Sequence, residues 1–164
     1  MKFIYYTDWK QLPESSSTLF AQAEKDSIFF SRQWFENLTT VAFDDLSTML
    51  LACVVDDGKV LAILPLLKTE GNTGHALKPR YTTHYSRLLT QDNQQHVLAC
   101  MAEGLAQLPL KALLLEPVAD DDARLNKFQQ SLQAAGFNCE HVFRFYNWIY
   151  RVQGKSYAEY MEDR

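Results

Sequence analysis

Two apolar runs, residues 49–55 and 59–67, face each other across Asp56-Asp57-Gly58. An Asp-Gly between such runs is a strong hairpin signal, because a tight primed turn needs positive φ at its central residues. Gly71-Asn72-Thr73-Gly74 makes a second turn, so a third strand is expected to begin near His75. The three strands then form an antiparallel meander, and the rest of the chain must pack on it.

Upstream, residues 3–6 form an aromatic and β-branched run that reads as a first strand. Residues 12–25 follow with helical spacing, serines near the start and Leu19, Phe20 and Ala23 on one face. Ser31 can cap a second helix through Leu38, carrying Trp34 and Phe35. Downstream, Asp92 is a candidate cap for a helix bearing Val97, Met101, Leu105 and Leu108. Within residues 111–117, Leu113-Leu114-Leu115 is a continuous apolar run that suits a strand buried on both faces. Asp120-Asp121-Asp122 sets negative charge at the start of the next helix, where the helix dipole favours it. Its buried stripe is Leu125, Phe128, Leu132 and Ala135, and Gly136 fits the left-handed C′ position. Residues 139–152 are rich in aromatic and β-branched side chains and read as a late strand or pair of strands. The predicted order is β-α-α-β-β-β-α-β-α-β, an α/β fold with a mixed sheet flanked by helices.

Composition narrows the class. At 164 residues, 47% of them hydrophobic, with 6 Gly and 5 Pro, the chain suits one ordinary domain and excludes a disordered or collagen-like one. Sixteen Lys+Arg against 20 Asp+Glu give a net charge of −4, so no nucleic-acid partner is expected. The strongly apolar run 60–67 falls far short of the ~20 residues that span a bilayer, so no membrane span is expected. The N-terminus, Met1-Lys2-Phe3-Ile4-Tyr5-Tyr6-Thr7-Asp8, has only a short apolar stretch before an acid and is not a signal peptide. Cys53, Cys100 and Cys139 are widely spaced, with no Cys-x-x-Cys and no zinc pattern beside His75, His84, His96 and His141. A reducing, cytoplasmic setting follows, with the cysteines as small hydrophobes and no metal.

Ser156 followed by Glu159 is a capping box, with Tyr157, Tyr160 and Met161 at helical spacing behind it. A helix only two turns long is marginal unless it packs on something. The expected division is a domain over residues 1–153 and, over 154–164, the start of a helix leading into a second domain.

Specific segments carry a family resemblance. Phe29-Phe30-Ser31-Arg32-Gln33-Trp34-Phe35-Glu36-Asn37-Leu38 resembles the opening helix motif of the FemAB-like and CelD-like acetyltransferases, a group with the GNAT N-acyltransferase fold. The hairpin ending Ala62-Ile63-Leu64-Pro65-Leu66 resembles the strand that follows it. Phe145-Tyr146-Asn147-Trp148, then Ser156-Tyr157-Ala158-Glu159-Tyr160-Met161, resembles the late strand and the helix entering the second half. The likeness spans nearly the whole chain through the joint order of these motifs. It implies a GNAT-like mixed sheet and the N-terminal member of two tandem GNAT-like halves. It also implies an activity needing the second half: acyl transfer from acyl-CoA (acetyl-CoA) to a small-molecule or peptide amine. The missing C-terminal GNAT-like half is thereby an expected partner.

A working GNAT half holds the CoA pyrophosphate on a glycine-rich loop at a helix N-terminus. The corresponding segment, Ser86-Arg87-Leu88-Leu89-Thr90-Gln91-Asp92-Asn93, has no glycine and carries Asp92 where the pyrophosphate should lie. No cofactor-binding residues are therefore expected in this half. His84, within Tyr81-Thr82-Thr83-His84-Tyr85-Ser86, is the best general acid or base candidate among the histidines, against the plainer reading of a solvated loop residue. Tyr81, Tyr85 and Tyr146 are candidates for a substrate groove or the surface facing the second half, whereas Trp34 and Trp148 suit a core. Asn147, between two aromatics, is a polar residue that must find partners and can brace the sheet near a cleft. The rival reading is a stand-alone, non-catalytic binding or regulatory module of the same fold.

Overall fold

The computed structural model describes residues 1–43, 48–79, 82–90, 92–146, 154 and 156–162. Asp57 and Gly58 both take positive φ (45° and 77°), as a primed turn requires. They join strand β2 (Met49–Asp56) to strand β3 (Lys59–Thr69) in antiparallel register from Met49↔Leu67 to Asp56↔Lys59. Strand β1 (Lys2–Tyr6) pairs antiparallel with β2, and β4 (Thr73–Ala76) with β3, completing the expected meander. Strand β6 (Ala112–Leu114) lies parallel to β4, and β5 (Leu88–Leu89) pairs with β3. The described residues thus form an α/β fold with a six-stranded mixed sheet, ordered β1-β2-β3-β4-β6 with β5 off that path.

Consecutive residues 51–55 of β2 are buried, so both faces of the hairpin are covered. Helix α1 (Ser16–Ala23) lies against β3 and β5, and helix α3 (Gln94–Ala106) against β1, β2 and β3. Ser15 does not cap α1. Its hydroxyl donates to the Gly58 carbonyl (2.9 Å) and accepts from the Val60 N–H (3.2 Å), pinning the helix to the hairpin turn. Helix α2 (Arg32–Val41) is capped as expected, Ser31 Oγ accepting from the Trp34 N–H at 3.1 Å. Trp9, Phe20 and Phe35 form a buried aromatic cluster, Trp9 and Phe35 stacking at 5.6 Å. Helix α4 (Ala123–Ala134) packs on α3. It ends in a Schellman motif, with Gly136 at φ 96° donating to Gln133 (3.0 Å) and Phe137 donating to Leu132 (3.0 Å). In helix α5 (Tyr157–Glu162) the capping box closes, the Ser156 N–H donating to Glu159 Oε2 at 2.7 Å.

Three expectations need correction. Asn93, not Asp92, occupies the cap of α3; its φ of 50° is left-handed and its side chain makes no capping bond. The run 113–115 is not a strand buried on both faces: β6 has only three residues, lies at the edge of the sheet formed by the described residues, and leaves Leu114 42% exposed. Its pairing with β4 runs from Thr73↔Ala112 to His75↔Leu114. Residues 139–146 form no strand, and Val142, Phe143, Phe145 and Tyr146 are exposed; the remainder of that expected strand lies outside the described residues.

Gly104 of α3 sits against the Phe3 ring of β1, with no room for a Cβ. Gly104→Ala is expected to cost about 1–3 kcal/mol by overpacking, although alanine is the better helix former by about 1 kcal/mol. Urea denaturation at constant m-value checks this. Ser31→Ala, removing the α2 cap, should cost about 1 kcal/mol in the same assay.

Candidate functional site

Pro65 interrupts the pairing of β3 and so creates the site. In a strand, the N–H and C=O of one residue point to the same side, and proline lacks the N–H. The Pro65 carbonyl points away from β2: it accepts from the Leu77 N–H (3.0 Å) and from the Tyr85 hydroxyl. The missing donor therefore lies on that same edge, where a ladder partner would need it. Strand β4 departs after Ala76, the chain loops out, and it returns to β3 only as Leu88–Leu89, opposite Ile63 and Ala62.

The excursion is held at Tyr85. Its phenol reaches Pro65, its backbone N–H donates to the Pro117 carbonyl (2.8 Å), and its residue exposure is 2%. Burial pushes the phenol's pKa well above the ordinary value, so it stays a neutral donor. Tyr85, expected at a groove or interface, is a core anchor of the loop instead.

On either side of this anchor lie His84 and Arg87. The His84 ring meets the Phe30 ring edge-on at 4.7 Å. Burial lowers its pKa below the usual 6.5, partly offset by the Asp122 carboxylate, so the imidazole is neutral at neutral pH. Arg87 is a buried cation, its side chain 5% exposed, with its guanidinium 5.4 Å over the Phe128 ring. Burial pulls its pKa down to about 10, which leaves it charged at neutral pH.

Asp122 caps α4 by accepting from the Arg124 N–H (3.0 Å) and also takes the Arg124 Nε at 3.0 Å. Its second oxygen is 3.7 Å from Arg87 Nη2, an ion pair without a hydrogen bond. Burial alone would raise the Asp122 pKa, but the Arg124 hydrogen bonds and the two guanidinium charges outweigh it and hold the carboxyl below its ordinary value. Arg124 Nη1 also reaches Asp26, at 3.8 Å. Gln22, Asp26, Phe30, Ser86, Arg87 and Arg124 wall a small, shallow cleft of about 20 Å³ that opens to the surface.

Of the residues singled out in the sequence, only His84 and Tyr85 fall in or beside this region. Tyr146 is exposed, its ring tilted against Phe143 at 5.0 Å. Tyr81 and Asn147 lie outside the described residues. Arg87 and Arg124 were not singled out, and Asp122 was read only for its charge at a helix start. The available signal was an arginine abutting the apolar pair Leu88-Leu89, which places a charge at the end of a buried strand. No cluster that could hold a metal occurs among the described residues. The thiols lie apart from this chemistry: Cys53 is buried, with its pKa pushed up to about 12. No described helix is long and apolar enough to cross a membrane.

Comparison with protein-family models, curated proteins and solved structures found no match to the chain.

A histidine whose folded pKa lies below its unfolded value costs the folded state a proton that the unfolded chain takes up. The His84 contribution to stability is thus fully present above about pH 6.5 and declines as the pH falls through the window below it. Urea denaturation between about pH 7.5 and 5 should show this decline, and His84→Asn should reduce it.

Proposed function

We propose that this chain is a GNAT-like half of a two-domain N-acyltransferase, contributing substrate-groove surface while the other half holds acyl-CoA. The observation that carries the reading is the order of elements. Strands β1 to β4 form an antiparallel meander with α1 and α2 inserted after β1, and α3 then crosses over to β6, parallel to β4. Apart from β5, which the sequence reading lacked, the order as far as α4 is the one read from the sequence, and this supports the proposal.

Support for a half without its own cofactor site comes from the start of α3. The preceding segment has no glycine, Asp92 is exposed there, and Gln94 turns its side-chain amide back to the Thr90 carbonyl at 3.2 Å. In the reaction, the amine nitrogen bonds to the thioester carbonyl carbon, the C–S bond breaks, CoA leaves as its thiol and the amine surrenders a proton. Neutral His84 is the candidate to take that proton from the amine and pass it on to the leaving thiolate. The acceptor class is an amine on a sugar, a polyamine or a peptide.

Two measurements test the reading. Calorimetry of this chain with acetyl-CoA should give no binding heat. The native polypeptide should have a mass roughly twice 18.9 kDa, as two ordinary domains would, and should transfer acetyl groups from acetyl-CoA to an amine. A native mass of 18.9 kDa with no transfer overturns the proposal and leaves a stand-alone binding module.

A further inference from the structure

We infer that the cleft beside α4 is a binding site for a small oxyanion, a carboxylate or a phosphate group, with the Arg87 guanidinium as its receptor. The carrying observation is a pair of unmade bonds. Arg87 Nε and Nη2 are both buried, and neither donates to an acceptor among the described residues. These two nitrogens sit side by side on one edge of the guanidinium, the fork that fits two oxygens of a carboxylate or phosphate. Buried donors of a charged group are rarely left unpaired, because their lost hydration is not repaid.

The surroundings agree with an anionic guest. Asp122 is the near carboxylate, but its Oδ1 is committed to the side chain and backbone of Arg124, and its Oδ2 stays 3.7 Å from Nη2. Phe128 covers one face of the guanidinium and directs binding to its edge. Gln22 lines the same cleft and offers a neutral donor, the Ser86 hydroxyl donates to the Arg87 carbonyl (3.3 Å), and Arg124, about one-third exposed, sets a second positive charge on the wall. Asp26 is the opposing charge, held toward Arg124 at 3.8 Å. One guanidinium edge is left for one oxyanion. This site is independent of the acyltransferase reading, since it needs neither CoA nor a second domain.

The test is titration of the purified chain with inorganic phosphate, and separately with sodium acetate, against sodium chloride at matched ionic strength. The Arg87 Nε–H cross-peak in nitrogen-edited NMR and the thermal midpoint are followed together. A saturable shift of that cross-peak with phosphate or acetate, absent with chloride, is the expected result. Saturation by both marks a carboxylate-accepting site, and saturation by phosphate alone marks a phosphate site. Arg87→Lys keeps the charge but loses the fork, and should weaken binding about tenfold or more. Arg124→Gln should weaken it about threefold, as expected for a charge at the rim. No saturable shift in the unmodified chain overturns the proposal, as does undiminished affinity in a folded Arg87→Lys variant. Should that variant not fold, the unmodified chain's cross-peak and the Arg124→Gln affinity decide the matter.

Discussion

The absent N–H of Pro65 organises much of what surrounds it. It lies on the edge of β3 that faces away from β2, where a continuous partner strand would need to accept from it. Strand β4 serves the lower part of that edge and β5 the upper part, and the chain between them is expelled as a loop. The Pro65 carbonyl is not wasted in the gap, because Leu77 and Tyr85 both donate to it. Through Tyr85 and Pro117 the same gap ties the loop to the segment after β6.

A loop anchored in this way can bury charge. Arg87 follows Tyr85 by two residues and immediately precedes β5, so it enters the interior at a point fixed by both neighbours. A buried guanidinium is costly unless its donors are met. Phe128 and Asp122, both from α4, meet part of that need: a π face over the cation and a carboxylate at 3.7 Å. Helix α4 therefore closes the cleft as well as packing on α3. Neutral His84, against Phe30, lies on the opposite side of Tyr85 in the chain and brings the chemistry of α2's approach into the same region.

The proposed acyltransferase reading rests on the order of strands and helices, and the cleft beside α4 stands apart from it. The amphipathic character of Tyr81, Tyr85 and Tyr146 suits a groove. In the structure the polar work falls to arginines and an aspartate contributed by two elements far apart in sequence, and Tyr85 supports them from within the core.

The sequence alone determined several features whose partners lie within a few residues of one another, although it placed the α3 cap one residue early, at Asp92 instead of Asn93. The Asp57-Gly58 turn, the Ser31 cap, the left-handed Gly136 that ends α4 and the Ser156–Glu159 capping box all depend on short-range hydrogen bonds or local φ preferences. The mixed α/β class was legible too, because alternating strand-like and helical periods report which face of each element is apolar. Tertiary structure alone decided the rest. The Leu113-Leu114-Leu115 run yields only the short strand β6 over Ala112–Leu114, and residues 139–146 form no strand despite their composition. Tyr85 went to the core and Arg87 to the cleft wall because Pro65, Pro117, Phe128 and Asp122 converge on them from distant segments. Such convergence leaves no periodic trace along the chain, since burial of a single polar residue depends on which partners arrive in space.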